Sequence, residues 1–149
     1  MTTAIPHPTD PAFAAAYGDA WTHRPDVLLT YFTTDATYTD VAMGTEYHGH
    51  DEIGRFHRFM LRFAPDSEIE YTECHAFDGH IYAPWIWRGT VAGPLRLRNG
   101  DLVDVTGTRF SVPGVAACGY GADGKLTSHQ DFWDLATVLD QAGATIAGR

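Results

Sequence analysis

Cysteine is scarce in this sequence, and its scarcity narrows the possible chemistry. Cys74 and Cys118 are the only two among 149 residues. Neither belongs to a Cys-x-x-Cys pair or to a Cys/His spacing that binds metal. One disulfide between them is conceivable, but nothing in the sequence favours it over two free thiols. The eight histidines offer no three-ligand spacing either, so we expect no metal site.

Long apolar runs and basic residues are scarce as well. No apolar run approaches the 18 residues that a membrane span needs. The N-terminus shows no charged segment followed by an apolar one, so we expect no signal peptide and a cytoplasmic protein. Ten Lys and Arg oppose nineteen Asp and Glu, which gives a formal net charge of −9. Such a surface repels phosphate groups, so neither nucleic acid nor a membrane is an expected partner.

Aromatic residues, in contrast, are abundant. They make up 13% of the chain, and hydrophobic residues make up 44%, which is enough for a globular core. The same side chains can line a pocket for a flat, apolar ligand. The length suits one domain. We predict a single domain over residues 10–143, with a flexible lead over 1–9 and a tail over 144–149.

Helical patterns dominate the first part of the chain. Asp10 and Pro11 are typical of a helix start, and apolar residues recur at helical spacing through Trp21. A second short helix is expected from Pro25. A third, with an apolar face, ends before Pro65.

Strand patterns dominate the remainder. The segment ATYTDVAM, between the second and third helices, places Tyr38 and Asp40 on one side of a strand. Four antiparallel strands are expected after the third helix, the first two joined by the Asp-Gly turn at 78–79. Pro113 and Gly114 are expected to break or bend the third of these. This order predicts an α+β fold, in which a curved antiparallel sheet wraps around the N-terminal helices and encloses a pocket.

Three strings resemble the SnoaL-like families of the nuclear transport factor two-like superfamily. YFTTDATYTD (31–40) is similar to the F-x-x-D-A-x-x-x-D string of ketosteroid isomerases, and YHGHDEIGRF (47–56) to the start of their third helix. DGKLTSHQDFWDLATVLDQAG (123–143) is similar to the C-terminal string of SnoaL-type polyketide cyclases. The resemblance implies a cone-shaped fold whose pocket hosts isomerases, aldol-type cyclases, epoxide hydrolases and domains without catalysis.

The last strand carries the main candidate pair. Because side chains alternate along a strand, Thr127, His129, Asp131 and Trp133 are expected to share one face. Asp131 matches the acid/base carboxylate of SnoaL-type cyclases, so the resemblance implies that this face looks into the pocket. There, the carboxylate can shuttle protons and the imidazole can relay or hold them. The ordinary alternative is an Asp that caps or pairs and a satisfied core His.

Asp40 is the second candidate acid/base. It matches the general base of ketosteroid isomerases, and Tyr17 lies near the place of their oxyanion-hole tyrosine. The protonated acid of those isomerases has no counterpart in VDVTGTRF (103–110), which counts against steroid isomerisation. Asp40 could also be a turn or solvated residue.

The strand around Trp85 supplies aromatic side chains and a cation. Trp85 and Trp87 alternate with Ile86 and Arg88, so one of the two pairs faces the interior. The candidate substrate-binding residues are Tyr17, Tyr38, Trp85, Trp87, Arg88 and Trp133.

Arg88 also bears on an alternative chemistry. Limonene-type epoxide hydrolases hold one water between a carboxylate, an arginine and a second carboxylate. Arg88 with Asp40 and Asp131 could form such a set, although no carboxylate lies two residues after Arg88.

These observations lead to one prediction with two alternatives. We predict a small enzyme without metal or organic cofactor, using Asp131, His129 and Asp40 on a hydrophobic, polyketide-like or cyclic molecule for aldol-type cyclisation or isomerisation. The alternatives are an epoxide hydrolase or epoxide-opening cyclase, and a non-catalytic ligand-binding or dimerisation module. Family members commonly pair through the open face of the sheet, so the resemblance implies a homodimer.

Overall fold

The computed structural model describes residues 4–144. The predicted lead and tail therefore lie partly outside the described residues. Within the lead, the ring of His7 packs edge-on against Tyr120, with ring centroids 5.5 Å apart. The division into lead, domain and tail stays a prediction.

Four α-helices form within the described residues. They are α1 (Phe13–His23), α2 (Pro25–Leu28), α3 (Gly49–Phe63) and α4 (Leu135–Gln141), with a 3₁₀ turn at Leu29–Tyr31. The first helix begins three residues later than Asp10, because Asp10 forms the preceding turn, its carboxylate accepting a hydrogen bond from the Ala12 amide at 2.8 Å. Asp134 caps α4 by accepting from the Ala136 amide.

Nine strands accompany the helices in the described part of the chain. They are β1 (Phe32–Asp40), β2 (Thr45–His48), β3 (Glu68–Tyr71), β4 (His75–Phe77), β5 (His80–Thr90), β6 (Leu95–Arg96), β7 (Leu102–Val103), β8 (Arg109–Tyr120) and β9 (Leu126–Trp133). Seven of them form one sheet in the order β2-β1-β9-β8-β5-β3, with β4 also on β5.

The sheet is curved and open, and it confirms the predicted α+β fold. One pairing differs from the expected antiparallel pattern, since β1 and β9 run parallel. In that register, Tyr38 lies opposite His129 and Asp40 lies opposite Asp131. The parallel pairing therefore brings the two halves of the candidate site side by side.

The expected break at Pro113 and Gly114 is wrong. Strand β8 runs through both residues, and its register with β5 continues without interruption from Arg109 to Gly119. The indole of Trp85, on the paired strand β5, lies directly against Gly114. A Cβ at this position would stand 2.3 Å from Trp85 Cζ2, so any larger residue would displace the ring.

The expected position of Thr127 is also wrong. The register between β8 and β9 shifts from Gly119 opposite Ser128 to Tyr120 opposite Leu126, which leaves Thr127 as an extra residue. Such a bulge reverses the alternation locally. Thr127 is therefore exposed, although His129 is buried.

Helix α3 covers the concave face of the sheet beside β1. Its apolar residues fall on one side, and Ile53, Phe56 and Phe63 are buried there. Ile53 is fully buried, which contributes roughly 1.5–3 kcal/mol of stability. This packing fixes one wall of the interior.

Strands β6 and β7 form a separate hairpin outside the main sheet. Its tip lies over the turn that follows β1. The guanidinium of Arg98 donates from Nε to the carbonyl oxygen of Ala42 at 3.0 Å and from Nη2 to that of Val41. The hairpin thereby covers part of the open end of the cone.

Candidate active site

A cavity of about 620 Å³ opens between the sheet, helix α3 and the β6–β7 hairpin. This volume is in the range of small-molecule sites. Most of its wall is apolar or aromatic, and the wall includes Tyr47, Phe56, Met60, Phe63, Trp87 and Trp133. Asp40 is the carboxylate in this wall.

A smaller space of about 30 Å³ lies deeper in the cone. Asp40 and Asp131 both border it, and so do Trp21, Trp85 and Trp133. It accommodates about one water molecule or a methyl-sized part of a ligand. Asp40 therefore borders both spaces, whereas Asp131 is reached through the inner one.

Asp131 is held by donors from three different strands. Its Oδ1 accepts hydrogen bonds from Nε2 of His129 at 2.8 Å and from Nε1 of Trp85 at 3.1 Å. Its Oδ2 accepts from the hydroxyl of Tyr38. The residue is 8% exposed, so this carboxylate exchanges almost all its hydration for protein donors.

His129 is completely buried behind Asp131. Its ring stacks on that of Tyr38 at a centroid distance of 4.3 Å, and its Nδ1 lies 2.8 Å from the hydroxyl oxygen of Tyr17. Burial alone would lower the pKa of His129, but the charge and hydrogen bond of Asp131 outweigh burial and raise this pKa to about 10. His129 and Asp131 therefore form a buried ion pair, and Nδ1–H donates to Tyr17.

Asp40 lies in a less saturated setting. Its Oδ1 accepts from Nε1 of Trp133 at 2.9 Å and from the amide of Met43 at 3.1 Å. Burial raises the pKa of Asp40 from 3.8 to about 6, although these two hydrogen bonds oppose the rise. Both protonation states of Asp40 are therefore populated near neutral pH.

The structure brings most of the sequence-predicted residues together. Tyr17, Tyr38 and Trp85 contact the His129–Asp131 pair, while Trp133 contacts Asp40. Trp87 joins the wall of the larger cavity.

Arg88 does not join this site. With Trp85 and Trp87 facing inward, strand alternation turns Arg88 to the outer face, where Nη2 binds Oε2 of Glu70 at 3.1 Å. Arg88 therefore does not lie between Asp40 and Asp131, and the carboxylate–arginine–carboxylate set of limonene-type epoxide hydrolases is not formed.

Two features were absent from the sequence prediction. Cys118 lies opposite His129 in the sheet, with Sγ 3.3 Å from Nδ1, and only the strand pairing reveals this contact. Arg96 and Arg98 reach the cavity from the β6–β7 hairpin. Asn99-Gly100 in the segment LRLRNGDLV (95–103) is a hairpin signal in the sequence, but it does not tell where the hairpin docks.

Metal-binding clusters and membrane-spanning helices are both absent from residues 4–144. Within that range, no three side chains of His, Cys, Asp or Glu are grouped so that they could hold a metal ion. No helix in the same range has the length and apolar character needed to cross a membrane.

Solved structures with the same fold come from several bacteria. A hypothetical protein with a ketosteroid isomerase-like fold from Catenulispora acidiphila, in complex with trimethylamine, is 25% identical, with a TM-score of 0.75 over 92% of this chain and 96% of its own. A protein assigned as a SnoaL-like polyketide cyclase from Shewanella putrefaciens is 18% identical, with a TM-score of 0.69 over 87% and 93%. AclR from Streptomyces galilaeus, assigned as a hydroxylase, is also 18% identical, with a TM-score of 0.67 over 85% and 90%.

The family assignment rests on sequence. No curated protein matches the chain. The family described as the SnoaL-like domain matches residues 12–129, which is most of the chain and includes α1, the sheet strands up to β8 and His129. The protein therefore belongs to the SnoaL-like domain family.

Proposed function

We propose that this protein transfers protons at a carbon next to a carbonyl group in an apolar, cyclic or polyketide-like small molecule. Aldol-type cyclisation and isomerisation both require that step. One observation supports the proposal: two buried carboxyl groups border the same small inner space, in unlike hydrogen-bonding environments. Such a difference separates the roles of acid and base. Neither role requires a metal or organic cofactor.

Asp131 is the proposed base, acting from the inner end of the cavity. His129, Trp85 and Tyr38 fix its orientation, and the imidazolium of His129 balances its charge. Asp131 takes a proton from the substrate carbon. His129, which is hydrogen-bonded to both Asp131 and Tyr17, then adjusts its hydrogen bonds to the change in charge on Asp131. His129 and Tyr38 thus act as positioning residues.

Asp40 is the proposed acid. Its pKa near 6 leaves a protonated fraction at neutral pH. In an aldol-type step, the carbon that loses its proton to Asp131 bonds to a second carbonyl carbon, and the oxygen of that carbonyl takes the proton of Asp40. In an isomerisation, the proton returns to a different carbon. Protons and charge balance in both cases.

The test uses a simple bicyclic ketone, 2-tetralone, in deuterated water. The wild-type protein should accelerate exchange of the acidic hydrogens of 2-tetralone for deuterium, which proton NMR measures. Asp131→Asn and Asp40→Asn should each lower the rate about 100-fold or more, because each removes an acid/base group. Glu70→Gln on the outer face is the matched control and should leave the rate unchanged.

The same assay separates the alternatives. Unchanged exchange in both Asn variants would contradict the proposal. Hydrolysis of indene oxide without ketone exchange would favour the epoxide hydrolase. Binding of both compounds without turnover would favour a non-catalytic binding module.

We also propose that the protein pairs with a second copy through the outer face of the sheet. Three apolar side chains on neighbouring strands are exposed there: Tyr82 by 56%, Val115 by 39% and Phe132 by 46%. Val115 and Phe132 lie opposite each other in the β8–β9 register. Light scattering should give a dimer mass for the wild type and a monomer mass for Phe132→Asp; a wild-type monomer would contradict the pairing.

A further inference from the structure

The mouth of the cavity carries positive charge, while its inner end carries the two carboxyl groups. Arg96 and Arg98, on the β6–β7 hairpin, line the outer part of the cavity. We propose that the ligand is an apolar carboxylate whose anionic group binds Arg96 and Arg98, with its reactive carbonyl directed inward. The inward half of this inference rests on the proposed acid–base function, whereas the anion site does not.

The two arginines are held by neutral partners. Arg98 donates to the carbonyl oxygens of Val41 and Ala42, and Arg96 donates from Nη1 to that of Gly100 at 3.1 Å. Carbonyl oxygens position a guanidinium without cancelling its charge. Because a guanidinium has five N–H donors, each side chain keeps donors for a ligand.

Carboxylates do not neutralise these arginines within residues 4–144. Arg24 and Arg88 each have a carboxylate within 4.0 Å, at Asp19 and Glu70, but Arg96 and Arg98 have none at that distance in the described chain. The protein is otherwise acidic, with a formal net charge of −9. The two arginines therefore form a positively charged patch on a protein that is negatively charged as a whole. Such a patch favours binding of an anion at the cavity mouth.

The charge distribution also fixes the orientation of the ligand. The ionised form of Asp40, which has no cationic partner, repels an anionic group from the inner end, and Arg96 and Arg98 attract it to the mouth. The volume of about 620 Å³ between them holds a bicyclic or tricyclic body. The aromatic wall contacts that body without selecting its charge.

A cationic ligand is the competing occupant. Trp87, Trp133 and Phe56 could face an ammonium group, with Asp40 as its counter-ion. This ligand would have to pass the two arginines at the mouth. A comparison of ligands with the same body and different charge decides between the two.

The experiment measures binding of three naphthalene derivatives by isothermal titration calorimetry. They are 2-naphthoate, 2-naphthalenemethanol and 2-naphthylmethylammonium. We expect 2-naphthoate to bind about fivefold more tightly than the alcohol at low salt, and the ammonium compound to bind most weakly. The preference should shrink at high salt because the arginines are exposed.

Variants assign the preference to the two arginines. The double variant Arg96→Met, Arg98→Met should bind 2-naphthoate no better than the alcohol, with the affinity for the alcohol unchanged. Arg96→Lys, Arg98→Lys should keep at least part of the preference. Arg109→Met, an exposed arginine outside the cavity, is the matched control and should behave as wild type.

Several outcomes would overturn the inference. Tightest binding of the ammonium compound, equal binding of all three or no binding at all would each do so. An equal loss of affinity for all three ligands in the Met variant would mean that the arginines hold the hairpin in place and do not bind the anionic group. Selective naphthoate binding without 2-tetralone exchange would keep the anion site and reject the acid–base function, so the two failures are distinguishable.

Discussion

The two carboxyl groups of the cavity differ in how completely the protein satisfies them. Asp131 accepts hydrogen bonds on both oxygens from side chains of β1, β5 and β9, and a buried histidine balances its charge. Asp40 accepts on one oxygen, from Trp133 and Met43, and has no cationic side chain among its charge partners in the described chain. At the inner end, the mutual attraction and hydrogen bonds of Asp131 and His129 therefore maintain a charged pair against the effect of burial. Nearer the mouth, burial favours the neutral form of Asp40.

The largest expected difference concerns stability. Asp131→Ala leaves the His129 cation buried without its partner, so we expect a loss of about 3–5 kcal/mol in the free energy of unfolding. Asp40→Asn removes a carboxyl group whose charge is not balanced, and it should be neutral or stabilising at pH 7. Urea denaturation of both variants measures the contrast. Equal losses would contradict the distinction between the two environments.

The second difference is in pH dependence at the inner end. Folding raises the pKa of His129 from 6.5 to about 10, so its contribution to stability is complete below pH 6.5 and is lost as the pH rises toward 10. The wild type should lose roughly 4 kcal/mol over that window. Asp131→Asn should flatten the slope between pH 7 and 9, and an unchanged slope would show that the ion pair does not form.

Stability also falls with rising pH at the outer carboxyl group, but in a lower pH window. Between pH 3.8 and about 6, folded Asp40 keeps a proton that the unfolded chain has lost, so raising the pH through this window lowers stability. The effect should be on the order of 2 kcal/mol. Asp40→Asn should abolish it, while Asp35→Asn on the same strand serves as the exposed control. A slope that survives in Asp40→Asn would assign it to other groups.

A smaller change should follow from removing one donor to Asp40. Trp133→Phe deletes the indole N–H that stabilises the carboxylate, so the pKa of Asp40 should rise by about one further unit above 6. Carbon-detected NMR titration of the carboxyl group measures it. Phe132→Tyr, on the outer face of the same strand, should leave that pKa where it is.

The smallest effect is expected at Cys118. Its Sγ lies 3.3 Å from His129 Nδ1, but a thiol is a weak hydrogen-bonding partner. The same nitrogen already makes a hydrogen bond with the hydroxyl of Tyr17. Cys118→Ala should cost about 1 kcal/mol or less in unfolding experiments, mainly through lost packing. A loss comparable with that of Asp131→Ala would mean that the thiol is part of the ion-pair network.

The sequence predicted the parts of this site that depend on local periodicity. His129 and Asp131 share a face because they are two residues apart, and Tyr38 and Asp40 do so for the same reason. Thr127 escaped the same rule because the bulge beside it depends on the register with β8. The alternation rule therefore holds within an unbroken ladder and fails across a bulge.

The contacts between distant elements were beyond sequence reasoning. Tyr17 and His129 are 112 residues apart in sequence, and Tyr38 and Asp131 are 93 apart. Arg88 illustrates a related difficulty, because both faces of its strand carry large side chains. The pattern alone does not tell which face is interior; the hydrogen bond from Trp85 to the buried Asp131 shows it.

The position of β9 has a consequence for how the chain acquires its structure. This strand follows β1 to β8 in sequence, yet it lies between β1 and β8 inside the sheet. A growing chain must therefore keep two strand edges apart until residues 126–133 have emerged. Many native contacts join residues far apart in sequence, which is typical of slower folding. The hydrogen bonds around Asp131 thus form only after β9 has joined both β1 and β8.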